Sequence, residues 1–199
     1  MDARWQRSRS KLTTAVLALA STQSADNLTA SSIAAHAGVH RSTFYEHATS
    51  PMDLLQSALS EELDAIRARY LDNAGPDDAM TAVTNATVDV LIHADRHAAI
   101  YRAGLKLSLH SMLSEHFQES THVLLRHGVI TIPFGEPGDQ VVAESVARFI
   151  ADGTVGIIAV WLESPAPRDP VALLRQLSYL VPEWWPLAAQ IDDLAERAS

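Results

Sequence analysis

From position 40 the chain reads His40, Arg41, Ser42, Thr43, Phe44, Tyr45, Glu46, His47. Apart from Phe44 and Glu46 these are two short hydroxyls, one guanidinium, one phenol and two imidazoles. On a helix, Phe44 and the preceding Val39 turn inward, and His40, Arg41, Ser42, Thr43, Tyr45 and His47 turn outward. A buried helix would not carry such a set, and an ordinary solvated face would hold more Glu and Lys. These groups suit hydrogen bonding to phosphate oxygens and base edges, which is recognition without covalent chemistry.

That helix must be held by its neighbours. The run Ile33-Ala34-Ala35-His36-Ala37 precedes Gly38, where a positive φ lets the chain leave one helix before starting the next. Thr29 is the expected N-cap of the first helix, with Ser31 or Ser32 sharing the role. Ile33, Ala34 and Ala37 share a face, and their small size allows close crossing. Thr49-Ser50-Pro51 then caps a further helix carrying Leu54 and Leu55. Two short helices joined by a tight turn form a helix-turn-helix, whose second helix fits the major groove of DNA. The Thr29 hydroxyl and the backbone N–H groups after it suit a phosphate. Arg41 is read as a partner for a guanine edge or a phosphate, and His40 and His47 as phosphate donors. The alternative is an ordinary helical hairpin with a polar face.

In order, the segment shows Ala18-Leu19-Ala20, Leu28-Thr29, Ile33-Ala34, Ala37-Gly38-Val39, Ser42-Thr43-Phe44-Tyr45, His47 and Leu54-Leu55. It resembles the N-terminal domain of the TetR family of transcriptional repressors, over about a quarter of the chain. The remainder is similar only in length and helical pattern. His40 stands where the family often has serine, Ala48 where it has phenylalanine, and Pro51 where it has a phosphate-touching lysine. The resemblance implies an all-α fold. Residues 1–50 would form a three-helix helix-turn-helix domain, and 51–199 a helical ligand-binding and dimerisation domain. It further implies that Thr43 and Tyr45 contact the DNA backbone, Tyr45 also reaching a thymine methyl. The last two long helices would pair with a second copy. A small molecule held among helices 5 to 8 would release a palindromic operator. Dimerisation suits the reader, because a two-fold pair presents two recognition helices about 34–36 Å apart, one turn of DNA.

The formal net charge is −9, the wrong sign for a DNA binder taken as a whole. It is unevenly placed. Residues 1–50 carry Arg4, Arg7, Arg9, Lys11 and Arg41 against Asp2, Asp26 and Glu46, a net of +2, leaving −11 for the rest. The basic residues cluster where phosphates would lie. The 47% of hydrophobic residues suffice for a core. The absence of cysteine excludes disulfides and thiolate metal sites. No N-terminal h-region and no run of membrane-spanning length is evident, so a cytoplasmic protein is expected.

Periodicity predicts helices over about 4–21, 51–72, 77–92, 95–105, 108–127, 140–162 and 170–180, in addition to the short pair. A loop is expected over Val129–Asp139, and a last short helix from about Leu187 to Arg197. The 140–162 helix is apolar almost all round, so burial on several sides is expected. Gly153 and Gly156 would weaken it unless another backbone approaches there. Tyr101, Leu105, Leu109, Met112, Phe117, Phe149, Gly153 and Trp161 are the candidate lining of an effector cavity, suited to an apolar or aromatic compound. Such a stripe also serves as plain core.

His93 and His97 stand four apart, a metal-binding spacing. No carboxylate lies between them as in HExxH, and Arg96 beside a cation is unfavourable, so no metal and no cofactor are expected. No GxSxG, P-loop or dinucleotide-binding glycine motif occurs, so no enzyme is expected. Two function classes stand. One is a ligand-responsive homodimeric repressor of an operator. The other is an all-helical dimeric module for a small molecule or protein, its DNA reader weakened at Ala48 and Pro51.

Overall fold

A computed structural model describes residues 3–104 and 108–187. Among them are nine α-helices and no strand: α1 (Ala3–Ala20), α2 (Ala30–Ala37), α3 (Arg41–Tyr45), α4 (Pro51–Tyr70), α5 (Ala79–Arg96), α6 (Ala98–Gly104), α7 (Ser108–Arg126), α8 (Gln140–Glu163) and α9 (Pro170–Ser178). Short 3-10 turns lie at Ala25–Asn27 and Pro76–Asp78. The all-α expectation is met. Leu105 and the helix expected over 187–197 lie outside the described residues, apart from Leu187 itself.

The boundaries follow from local chemistry. Thr29 Oγ1 accepts the Ser32 N–H at 3.0 Å, and the Thr29 N–H donates to Ser32 Oγ at 3.2 Å, a capping box that starts α2. Gly38 ends α2 at φ 64°. Its N–H reaches Ala35 O at 3.2 Å and the Val39 N–H reaches Ala34 O at 3.0 Å, the two bonds of a Schellman motif. Ser50 caps α4 by accepting the Asp53 N–H at 3.1 Å, and Pro51 occupies the first turn, where its missing N–H costs nothing. Asp139 and Asp169 cap α8 and α9 in the same manner.

The first three helices fold around Leu12, Val16, Ile33 and Phe44, all fully buried. Leu54, Leu55, Leu59 and Leu63 are the buried face of α4, which packs against α1 and also against α5 and α7. Arg9 joins α1 to α4 through Glu61, with Nε 3.2 Å from Oε1. One connected core runs from Leu12 to Leu187. The strongest pairing in the C-terminal part is α7 on α8, and α9 lies on α5 and α8.

The burial on several sides expected of α8 is confined to one face in the monomer. Val146, Ile150, Val155, Ile158 and Leu162 are buried, whereas Val141, Phe149 and Val160 are 74%, 70% and 71% exposed. Among the described residues nothing approaches the Cβ position of Gly153 or Gly156 within 4 Å. By length and composition alone α8 is apolar enough to cross a membrane, contrary to the expectation that no such run exists. Here it is one layer of a helical bundle, with Glu144, Arg148 and Asp152 among its exposed residues.

Candidate nucleic-acid interface

The structure places Thr29 at the start of α2, and His40, Arg41, Ser42 and Tyr45 on the exposed side of the α3 region, with Thr43 half-buried. His40 is the N-cap residue of α3, and its side chain makes no capping bond. Arg41 Nη2 donates to Tyr45 Oη at 3.1 Å, and the guanidinium carbon lies 5.5 Å from the Tyr45 ring centroid. The i, i+4 spacing stacks the two side chains on one outward face, fixing a donor-rich plane beside an aromatic one. Tyr45 is 52% exposed, so its ring and hydroxyl are open to a partner.

His47 differs from its expected outward position. Its ring packs on Trp5 of α1 at 4.6 Å, its Nε2 is 2.8 Å from Ser8 Oγ, and its carbonyl accepts from Arg9 at 3.2 Å. Its Nδ1 is buried without a partner. Burial first, then the Arg9 guanidinium, holds this imidazole below its ordinary range, against a smaller opposite effect of Glu46. His47 therefore fastens the end of α3 to α1. The helix is correspondingly short, ending at Tyr45.

A groove between α1 and the start of α3 was not evident from sequence alone. It is lined by Arg4, Arg7 and Lys11 with Trp5, Ser8, Gly38, Val39, His40, Thr43 and Glu46. The cluster of basic residues near the N-terminus was the available signal. It becomes a surface only because α1 crosses beside α3. At the far side of α3, the Thr49 N–H and hydroxyl reach Asp53 Oδ2 at 2.7 and 2.8 Å. Those bonds, the backbone one first, hold the Asp53 carboxyl below the usual carboxylate range and fix the entry to α4.

In the C-terminal part a cavity lies between α4, α5, α7 and α8. Ile66, Leu71, Val83, Ala86, Val90, Phe117, Leu124, Ile150 and Trp185 make its wall apolar, with Arg67, Thr87, His116, Ser120 and Thr121 as the polar members. Thr87, Ser120 and Thr121 bond carbonyls of their own helices at 2.7, 2.8 and 3.0 Å. Buried His116 Nδ1 has no hydrogen-bond partner among the described residues, and burial, followed by Arg67 and His93, pushes its pKa down to about 3. Among the described candidates, Phe117 lies on this wall. Leu109 and Met112 are core residues of α7, and Tyr101 is fully buried on α6, its hydroxyl 2.8 Å from His93 Nε2. Trp161 is half-buried; Gly153 sits on the outer face of α8, and Phe149, on the same face, lines an apolar surface groove of about 450 Å³ with Phe134, Val146 and Trp184. The residues that do line the cavity come mainly from α4, α5 and α7, and periodicity alone shows only that their faces are inward.

Solved structures share this architecture. A dihydroxyacetone kinase operon activator, DhaS, superposes with a TM-score of 0.64 at 14% identity, over 94% of this chain and 97% of that one. A TetR-family transcriptional regulator from Streptomyces coelicolor gives 0.56 at 21% identity, over 96% and 98%. A TetR transcriptional regulator from Rhodococcus sp. RHA1 gives 0.57 at 19% identity, over 89% and 98%. The fold of this chain is therefore TetR-like. No protein-family model and no curated protein matches the sequence.

Proposed function

We propose that this chain is a homodimeric, ligand-responsive DNA-binding transcriptional regulator, a repressor that a small molecule releases from a palindromic operator. The observation that carries the reading is the outward Arg41–Tyr45 pair, flanked by His40, Ser42 and Thr43, beside a groove lined by Arg4, Arg7 and Lys11 in a TetR-like fold. In this reading α3 supplies base-edge contacts, while Thr29 and the α1 cations position the protein on phosphates. The dimer forms through the apolar stripe of α8 with α9, beyond whose end Tyr179 and Leu180 are also exposed. Gly153 and Gly156 then allow a partner helix to cross closely.

The effector occupies the cavity at His116. At about 40 Å³ the cavity must widen to admit it; the wall suits an apolar body with a single group hydrogen-bonding to the neutral imidazole. Binding releases DNA if the ligand favours a spacing of the two readers that no longer matches successive turns of the major groove. The protein acts in the cytoplasm, where its DNA lies.

Selection of bound sequences from a random duplex pool, followed by gel shift with the DNA flanking its own gene, tests the reading. The expected product is an inverted repeat with half-sites one helical turn or a multiple of it apart. A folded dimer that shifts no duplex at low salt overturns it and leaves a small-molecule-binding or protein-binding module.

A further inference from the structure

The His93 and His97 pair acquires a third member in the fold. Glu62, on α4, sets its Oε2 3.1 Å from His93 Nδ1 and 3.0 Å from His97 Nε2. The three donor atoms lie within 4.8 Å of one another. We propose that Glu62, His93 and His97 bind a divalent transition-metal ion of the zinc class.

The donor set fits. Two imidazoles and one carboxylate suit zinc, cobalt or nickel, and are a common three-ligand arrangement with water in the remaining position. An ion held about 2.1 Å from each donor needs them roughly 3.4 Å apart; the two Glu62–histidine spacings are a few tenths of an ångström short of that, and the two histidine nitrogens lie within 4.8 Å of each other. The outer groups are in place as well. A histidine bound through Nδ1 keeps its proton on Nε2, and Tyr101 Oη stands 2.8 Å from that nitrogen to accept it. The His93 side chain is only 3% exposed, so its ring is held by packing, whereas the Glu62 side chain is 34% exposed and adjusts.

Ion and water have a route. Glu62 and His93 line a surface groove with Arg69, Asp89, Ile92 and Arg96. Arg96 is the opposing charge, with Nη1 3.8 Å from Glu62 Oε2. Its side chain is 65% exposed and can swing into solvent when an ion takes its place. The ion would join α4 to the end of α5, and α4 begins at the cap that follows the reader. The site is distinct from the cavity at His116, although Ile66 lines both, and it does not depend on DNA binding.

The test is zinc chloride titrated into the full chain, stripped of metal, against a chromogenic chelator. The expected result is one ion per chain, bound at least tenfold more weakly by Glu62→Gln and by His97→Gln. Binding by His127→Ala, altered at an exposed imidazole beyond α7, stays unchanged. Far-UV dichroism without metal checks that the variants are folded. Should they not fold, zinc-edge anomalous scattering from wild-type crystals replaces them and is expected to place the ion between the three donors. Absence of stoichiometric binding, an affinity indifferent to Glu62 and His97, or an ion located elsewhere overturns the proposal and leaves a hydrogen-bond network.

Discussion

Arg41 and Tyr45 show how two side chains share one task. The Tyr45 phenol accepts from the guanidinium and its ring supports it, so fewer rotamers of Arg41 remain to be fixed on binding. If Arg41 reads a base edge, Arg41→Ala weakens the selected operator by roughly ten- to a hundredfold and random DNA far less. Fluorescence anisotropy on both duplexes measures this; equal losses would assign Arg41 to phosphate alone. His116 carries a different prediction. Its folded pKa, about 3, lies below the ordinary imidazole value, so between the two the unfolded chain binds the extra proton. Its contribution is intact above about pH 6.5 and lost as pH falls toward 3, at up to about 1.4 kcal/mol per pH unit. His93, lowered to about 4 mainly by burial and then by His97, acts in the same direction. Urea midpoints at pH 7 and pH 5 should therefore fall less for His116→Leu than for the wild-type chain. An identical fall would mean that His116 takes up its proton within the fold.

Among the elements, α8 carries the clearest unpaired surface. Phe149→Glu introduces a charge at a position 70% exposed in the monomer, so folding should survive while a partner helix is repelled. Light scattering after size exclusion is expected to show monomer at micromolar concentration, with the helical signal unchanged; a persisting dimer would place the interface elsewhere. This element also shows what sequence can disclose. The length of α8, its apolar character and its weak glycines are legible, because each is a property of the run of residues itself. What covers each face is not, since periodicity records where apolar groups lie and not what meets them. The α2–turn–α3 unit was legible down to the Thr29 cap and the positive φ of Gly38, both set by local backbone chemistry. The inward turn of His47 was not, because it depends on Trp5 and Ser8 of α1, some forty residues away. Likewise His93 and His97 declare their spacing along the chain, but Glu62 reaches them only through the packing of α4 on α5.

At the scale of the molecule, charge is divided between a reader of net +2 and a body of net −11. Coulomb attraction to a duplex acts through the reader, and the acidic body is repelled. In the proposed dimer this arrangement would turn both readers toward DNA and hold the C-terminal helices away. Of the α1 cations, Arg9 is engaged with Glu61, while Arg4, Arg7 and Lys11 line the groove beside α3. Taking one cation off a phosphate should lower the slope of log affinity against log salt by about 1. Lys11→Gln does so once in each protomer, hence by about 2 for the dimer. It should weaken the operator and random duplexes by similar factors, since phosphate carries no sequence. Affinities measured between about 50 and 200 mM salt check this, the effect being greatest at the low end. A slope unchanged by Lys11→Gln would mean that the groove between α1 and α3 faces away from DNA, and that recognition rests on the exposed side of α3 alone.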